Sequence, residues 1–237
     1  TLFGGFLGAS LTDVVQGLMM VVALIVVPIV ALFTIGSFEE TSTLITETNP
    51  VALSLFGDGS LSTMAVVMFI ISGLAWGLGY FGQPHIIVRF MALRSPSDAK
   101  AGMAYGVSWM FLCLLGAIFV AIIGPAFFGM DPSIAISDQE NFETIFLDMA
   151  QAMMHPLPAG FVLTAVLAAI MSTMSSQMLV VSTSLIEDLF LIFAKKKPGE
   201  QVLINLSRTA IVAIAVIAAL LAINPSDSIL GLVGFAW

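Results

Sequence analysis

The sequence predicts an all-α integral membrane protein, and three observations carry that prediction. Of its 237 residues, 59% are hydrophobic and only 9% are charged, where a soluble domain has about 25% charged residues. Charge-free runs fill positions 14–38, 59–88, 101–130, 149–186 and 209–226, and a membrane helix needs roughly 20 apolar residues. The strict alternation of a β-barrel strand is absent from stretches such as Val21-Val22-Ala23-Leu24-Ile25-Val26-Val27. This composition excludes a soluble enzyme and a disordered chain. The net charge of −8 leaves no basic face for a nucleic acid. The single cysteine, Cys113, pairs with no other in the chain.

Taken in order, the spans are expected at about 12–35, 61–82, 103–128, 157–190 and 203–223, with a partial one at 228–237. Each charge-free run holds one crossing. The fourth is too short for two crossings and a turn, and Ser228 to Trp237 is too short to cross at all. Thr1 is preceded by no initiator Met and no basic leader. The chain therefore reads as an internal fragment of a longer membrane protein, forming a single transmembrane domain over 1–237.

The charges set an expected orientation. Arg89, Arg94 and Lys100 lie between spans two and three, and Lys195, Lys196, Lys197 and Arg208 between spans four and five. The other connections carry acids only. The positive-inside rule assigns the basic loops 83–102 and 191–208 to the cytoplasm, so span one runs outward across the cell's inner (cytoplasmic) membrane. Between spans, Ser95-Pro96-Ser97-Asp98 reads as a helix start. Residues 39–60 read as a loop with at most a short helix. Residues 140–154 carry a helical apolar stripe with acids opposite, a surface helix whose role is either a lid or a binding element.

Span two is interrupted. Gly73, Gly77, Gly79, Gly82 and Pro84 fall together, and such residues weaken a helix. In lipid, freed backbone groups persist only where protein or water satisfies them. Broken helices of this kind expose backbone to substrate in many transporters; close packing through small residues is the other reading. Trp76 and Tyr80 share one helix face, either as interfacial aromatics or as a pocket wall.

Span four is the other polar one, with Ser172, Thr173, Ser175, Ser176, Ser182, Thr183 and Ser184. Hydroxyls in membrane helices usually bond the carbonyl one turn back or join helices. A cluster of them, with carbonyls, also suits a small monovalent cation. Asp13, near the start of span one, either caps that helix after Thr12 or lies on an ion path.

The run Trp76-Gly77-Leu78-Gly79-Tyr80-Phe81-Gly82-Gln83-Pro84-His85-Ile86-Ile87-Val88-Arg89-Phe90-Met91-Ala92 resembles the signature of the sodium/solute symporter family, most of all its sodium/proline symporters. Gly4-Gly5-Phe6-Leu7, Thr12-Asp13-Val14-Val15-Gln16, Ala168-Ala169-Ile170-Met171-Ser172-Thr173-Met174-Ser175-Ser176-Gln177 and Glu187-Asp188-Leu189 fit the same family in order and spacing, as does the end from Leu230 to Trp237. Leu11 departs from the Trp that relatives commonly carry there.

The resemblance implies a leucine-transporter-like bundle of two inverted five-helix repeats. This chain would supply core helices five to nine and the start of ten. It also implies sodium ligands at Ala169, Ser172 and Thr173, substrate contacts from Trp76 and Tyr80, and a role near the ion path for Asp13. Gly77, Gly79, Gly82 and Pro84 mark the helix break.

The expected function is a sodium-coupled symporter importing a small solute, L-proline first, by alternating access. The alternatives are a symporter for another small solute and an intramembrane sensor or enzyme. An enzyme reading suffers because His85 and His155 lie on opposite membrane faces by this topology. No enzymatic activity and no cofactor beyond sodium as coupling ion is expected. The expected partners are sodium, proline or a similar solute, lipid and the remaining helices of the full-length chain, with no nucleic acid.

Overall fold

A computed structural model describes residues 2–54, 59–130, 134, 136–137, 143–194, 198–223 and 229–236. Among the described residues there are helices and turns, and no strand. Five helical stretches are long and apolar enough to cross a membrane: Gly5–Ile35, Thr63–Gly82, Pro96–Met130, Pro156–Phe193 and Glu200–Leu221. The acidic positions Asp58, Asp131, Asp138, Glu140 and Asp227 and the lysines 195–197 lie outside the described residues.

The first helix, α1 (Gly5–Ile35), begins well before position 12. Asp13 therefore lies inside the helix rather than at its start, and the capping reading falls. Its neighbour Thr12 turns its hydroxyl back to the carbonyls of Gly8 and Ala9. Next comes α2 (Phe38–Thr48), opened by a capping box in which Ser37 Oγ accepts from the Glu40 N–H and Glu40 accepts from the Ser37 N–H. That reciprocal arrangement satisfies two otherwise orphaned donors, and it orders the first part of the stretch expected as a loop.

Span two is α3 (Thr63–Gly79), a 3-10 turn at Tyr80–Gly82, and α4 (Pro84–Met91). Span three is α5 (Pro96–Met130), whose first turn is held by Ser95 Oγ accepting from the Asp98 N–H. The short α6 (Ile145–Met153) falls within the expected amphipathic stretch, whose positions 140–142 lie outside the described residues. Span four is α7 (Pro156–Thr183), continued by a π-helical turn at Ser184–Phe190 and the single turn α8 (Leu191–Phe193). Span five is α9 (Glu200–Leu221), followed by α10 (Ile229–Ala236).

Helix directions follow from cross-contacts. Trp109 Nε1 donates to Gly17 O at 3.2 Å, and further along Gly116 meets Leu24. Rising numbers on both helices run together, so α1 and α5 are parallel. By contrast, Ala165 and Ala169 of α7 line one small cavity with Met20, Ala23 and Leu24, and Ser176 lies at the level of Asp13. Thus α7 runs antiparallel to α1. The core lies where α1, α5, α6 and α7 meet, around Val27, Ile123, Met149 and Val162, all nearly inaccessible. Among the described residues, buried polar groups beside it are hydrogen-bonded: Thr41 Oγ1 donates to Ser37 O, and Asp148 is the charged one. That carboxylate is buried but accepts from Ser137 N–H, Ser137 Oγ and Thr144 Oγ1, each at 2.8 Å.

Span two stands apart. α3 has no buried residue, and its main packing is on the turn that follows it, while α4 packs on α7.

Candidate functional site

The sequence-level break resolves to a short segment. Helical hydrogen bonding runs through Gly77 to Gly79, so those two glycines belong to regular helix. The interruption occupies Tyr80–Gly82 and Gln83, which is extended at φ −92°, ψ 105°. A 3.4 Å bond from Gln83 N–H to Tyr80 O spans the turn. Pro84 restarts the chain as the first residue of α4, where its missing N–H is harmless. A Cβ at Gly73, Gly77 or Gly82 would meet nothing within 4 Å among the described residues. Trp76 and Tyr80 are each 39% exposed.

On α7 the three predicted sodium-site residues fall within little more than one turn. Ser172 Oγ donates to Ala169 O at 2.8 Å, which brings two of the predicted ligand oxygens together. Ser176 Oγ donates to Ser172 O at 2.9 Å. The hydroxyls are therefore back-bonded, and their lone pairs remain as acceptors. Ser172 is half-buried and Thr173 is exposed. Nothing extensive packs α3 against α1, α5 or α7 among the described residues. The aromatic pair and the hydroxyl set thus sit on separate elements.

Arg89, a basic residue of the inner loop by charge and part of the Trp76–Ala92 run, ties α4 to α1 and α7. Arg89 of α4 places Nη2 2.6 Å from Asp13 Oδ2 and 2.6 Å from Ser176 Oγ. The Asp13 side chain is 10% exposed. Its second oxygen, Oδ1, and Gln16 Oε1 are buried and accept no hydrogen bond among the described residues. A lone acid in an apolar helix demands a counter-charge; that rule was the available signal for Arg89. The three residues border a cavity of about 520 Å³ between α1, α4 and α7. Its walls are largely apolar, from Phe6, Pro84, Val88 and Leu179, with His85 and Asp188 at its polar rim.

His155 caps α7 at the opposite end from this cavity, accepting weakly from Leu157 N–H. The two histidines are therefore separated by the length of α7, about 40 Å at 1.5 Å per residue, and form no dyad. No group of three or more His, Cys, Asp or Glu side chains suited to a metal occurs among the described residues.

Five apolar helices, the second interrupted and tied through Arg89 to Asp13 of the first and Ser176 of the fourth, make a polytopic membrane-type helical bundle. The sodium:solute symporter family matches the chain over residues 1–237, and the chain belongs to that family. It is similar to the osmoregulated proline transporter OpuE of Bacillus subtilis, at 46% identity over all of this chain and 46% of that protein. It is 44% identical to the high-affinity proline transporter PutP of the same organism, covering 48% of it. A sodium/proline symporter of Salmonella typhimurium is 40% identical, with 46% of its length covered. The chain thus spans about half the length of the curated relatives it matches. No solved structure matches it.

Proposed function

We propose that this chain is part of a sodium-coupled symporter that imports L-proline by alternating access. The observation that carries the reading is full-length similarity of the chain to several proteins named as proline transporters or sodium/proline symporters. In this reading Ala169 O, Ser172 Oγ and Thr173 Oγ1 contribute oxygens to sodium, the cargo ion. Clustered hydroxyls and carbonyls suit a hard monovalent cation. Trp76 and Tyr80 line the proline site, and Asp13 lies on the ion's route. The turn at Tyr80–Gln83 lets α4 stay on α7 while α3 reorients.

The parent bundle is a 5+5 inverted repeat in which this chain supplies core helices five to nine and the start of ten. Parallel α1 and α5 with antiparallel α7 support that order. The protein resides in the cytoplasmic membrane with 83–102 and 191–208 on the inner side. Import needs no covalent chemistry. Each inward charge gains about 2.3 kcal/mol per 100 mV of membrane potential, and differential affinity of the two facing states couples it to the solute.

The test is radiolabelled proline uptake by proteoliposomes holding the full-length protein. Uptake is expected to rise with an inward sodium gradient and with an inside-negative potential. Equal uptake in sodium-free and sodium-loaded medium would overturn the reading.

A further inference from the structure

We infer that Arg89 is a positioning residue that competes with sodium for Asp13 and so links ion release to the position of α4; the inference rests on the symport reading above. Three observations support it. One guanidinium nitrogen serves both Asp13 Oδ2 and Ser176 Oγ at 2.6 Å, which ties three separate elements, α1, α4 and α7, at a single point. Asp13 keeps a second carboxylate oxygen that is buried and accepts no hydrogen bond among the described residues. Ser176 is bonded in turn to the backbone oxygen of Ser172, one turn from the proposed sodium ligands.

The charge arithmetic gives the mechanism. With Arg89 in place, the Asp13 carboxylate is neutralised and offers a departing sodium ion little attraction. With Arg89 withdrawn, the same carboxylate is a bare anion in an apolar cavity, one to two turns from Ser172. A cation there is strongly favoured, because charges are poorly screened in such surroundings. The two cations therefore exclude each other at Asp13. Arg89 is 43% exposed, so it can leave toward solvent without losing hydration. Because Arg89 is carried on α4, directly after the turn that follows Trp76 and Tyr80, movement of the broken span changes which cation Asp13 holds. Binding of solute and release of ion become linked through one side chain.

The experiment measures the sodium dependence of proline uptake by the full-length protein in proteoliposomes, normalised to inserted protein. Arg89→Gln is expected to lower the sodium concentration for half-maximal uptake about five- to tenfold, within the range of ordinary coupling between sites, and to slow maximal uptake, because the ion leaves Asp13 less readily. Arg89→Lys keeps the charge and guards against a failure to insert; its sodium dependence should lie between the two. In an Asp13→Asn background, Arg89→Gln should produce no further shift, because its target is gone. A merely structural pair would also be non-additive, because its members touch, but it would lower inserted protein and maximal uptake without shifting the sodium concentration for half-maximal uptake. Sodium dependence unmoved by Arg89→Gln, or additive effects with Asp13→Asn, overturns the assignment while leaving symport intact. Absence of sodium dependence in the unsubstituted protein overturns both.

Discussion

Gly116 of α5 lies directly against the backbone of Leu24 in α1: a Cβ built on Gly116 would stand 2.6 Å from Leu24 O and 3.0 Å from its carbonyl carbon. The obstacle is main chain in the middle of a long helix, so it cannot swing aside. This contact sets how closely the two parallel helices approach, and with them the seam along Trp109 and Gly17.

Gly116→Ala should therefore destabilise the protein by about 1–3 kcal/mol, the usual range for overpacking. Gly102→Ala in the same helix, where a Cβ meets nothing within 4 Å, should be neutral or slightly stabilising through helix propensity. Thermal unfolding of purified protein in detergent checks both. Equal melting temperatures for the two variants would refute the close approach.

Ser172→Ala combined with Thr173→Ala should raise the sodium concentration for half-maximal uptake by on the order of tenfold to a hundredfold, ~1.4–2.8 kcal/mol. Single Thr173→Ser, which keeps the oxygen, should be much milder. Uptake measured across a sodium series decides it, and an unchanged curve for the double variant removes these hydroxyls from the ion site.

Trp76→Ala and Tyr80→Ala should weaken proline affinity more than sodium affinity, by about 1–3 kcal/mol for each buried aromatic contact. The informative control is a cysteine placed at position 80. Excess proline should slow its labelling, and labelling indifferent to proline would assign these rings to lipid.

Asp148 links the end of the bundle to the segment before α6. Burial opposes its charge, and this is outweighed by hydrogen bonds from Ser137 N–H, Ser137 Oγ and Thr144 Oγ1, which hold its pKa below the ordinary 3.8. With a depressed folded pKa, its contribution to stability is complete above the unfolded value and fades as pH falls through the folded one. Asp148→Ala, which leaves the Ser137 and Thr144 donors unpaired, should lower stability by about 1–3 kcal/mol at pH 7. The deficit should shrink in strongly acidic buffer. A deficit constant from pH 7 to pH 2 would show that packing, not the ionised carboxylate, is responsible.

Much of the architecture is readable from sequence because hydrocarbon excludes charge: each of the five apolar helices overlaps one of the five charge-free runs. The interruption in span two was also legible, since glycines and a proline crowd into a few positions. Which of them break the helix was not. Gly77 and Gly79 are tolerated in helical geometry, and the turn falls where Pro84 prevents continuation. The helix α1 begins before the first charge, and Asp13 is accommodated inside it by a partner 76 positions away. Periodicity carries no information about pairing at that distance. Ser176 was one hydroxyl among several, with nothing local to single it out, and the π-helical turn after Thr183 left no mark in residue type.

The turn at Tyr80–Gln83 joins two unequal arms. On one side α4 is short and seated on α7; on the other α3 extends through 17 residues with no buried side chain. At 1.5 Å per residue that arm is about 25 Å long, so tilting it by roughly 10° carries the Thr63 end through some 4–5 Å. Near the pivot, Tyr80 hardly moves. Within the described residues the turn joins a seated arm to an unseated one, and it lies next to the proposed binding aromatics. A displacement of a few tenths of an ångström beside the substrate corresponds to a sweep at the far end of the arm wide enough to open or shut a path for a molecule the size of an amino acid.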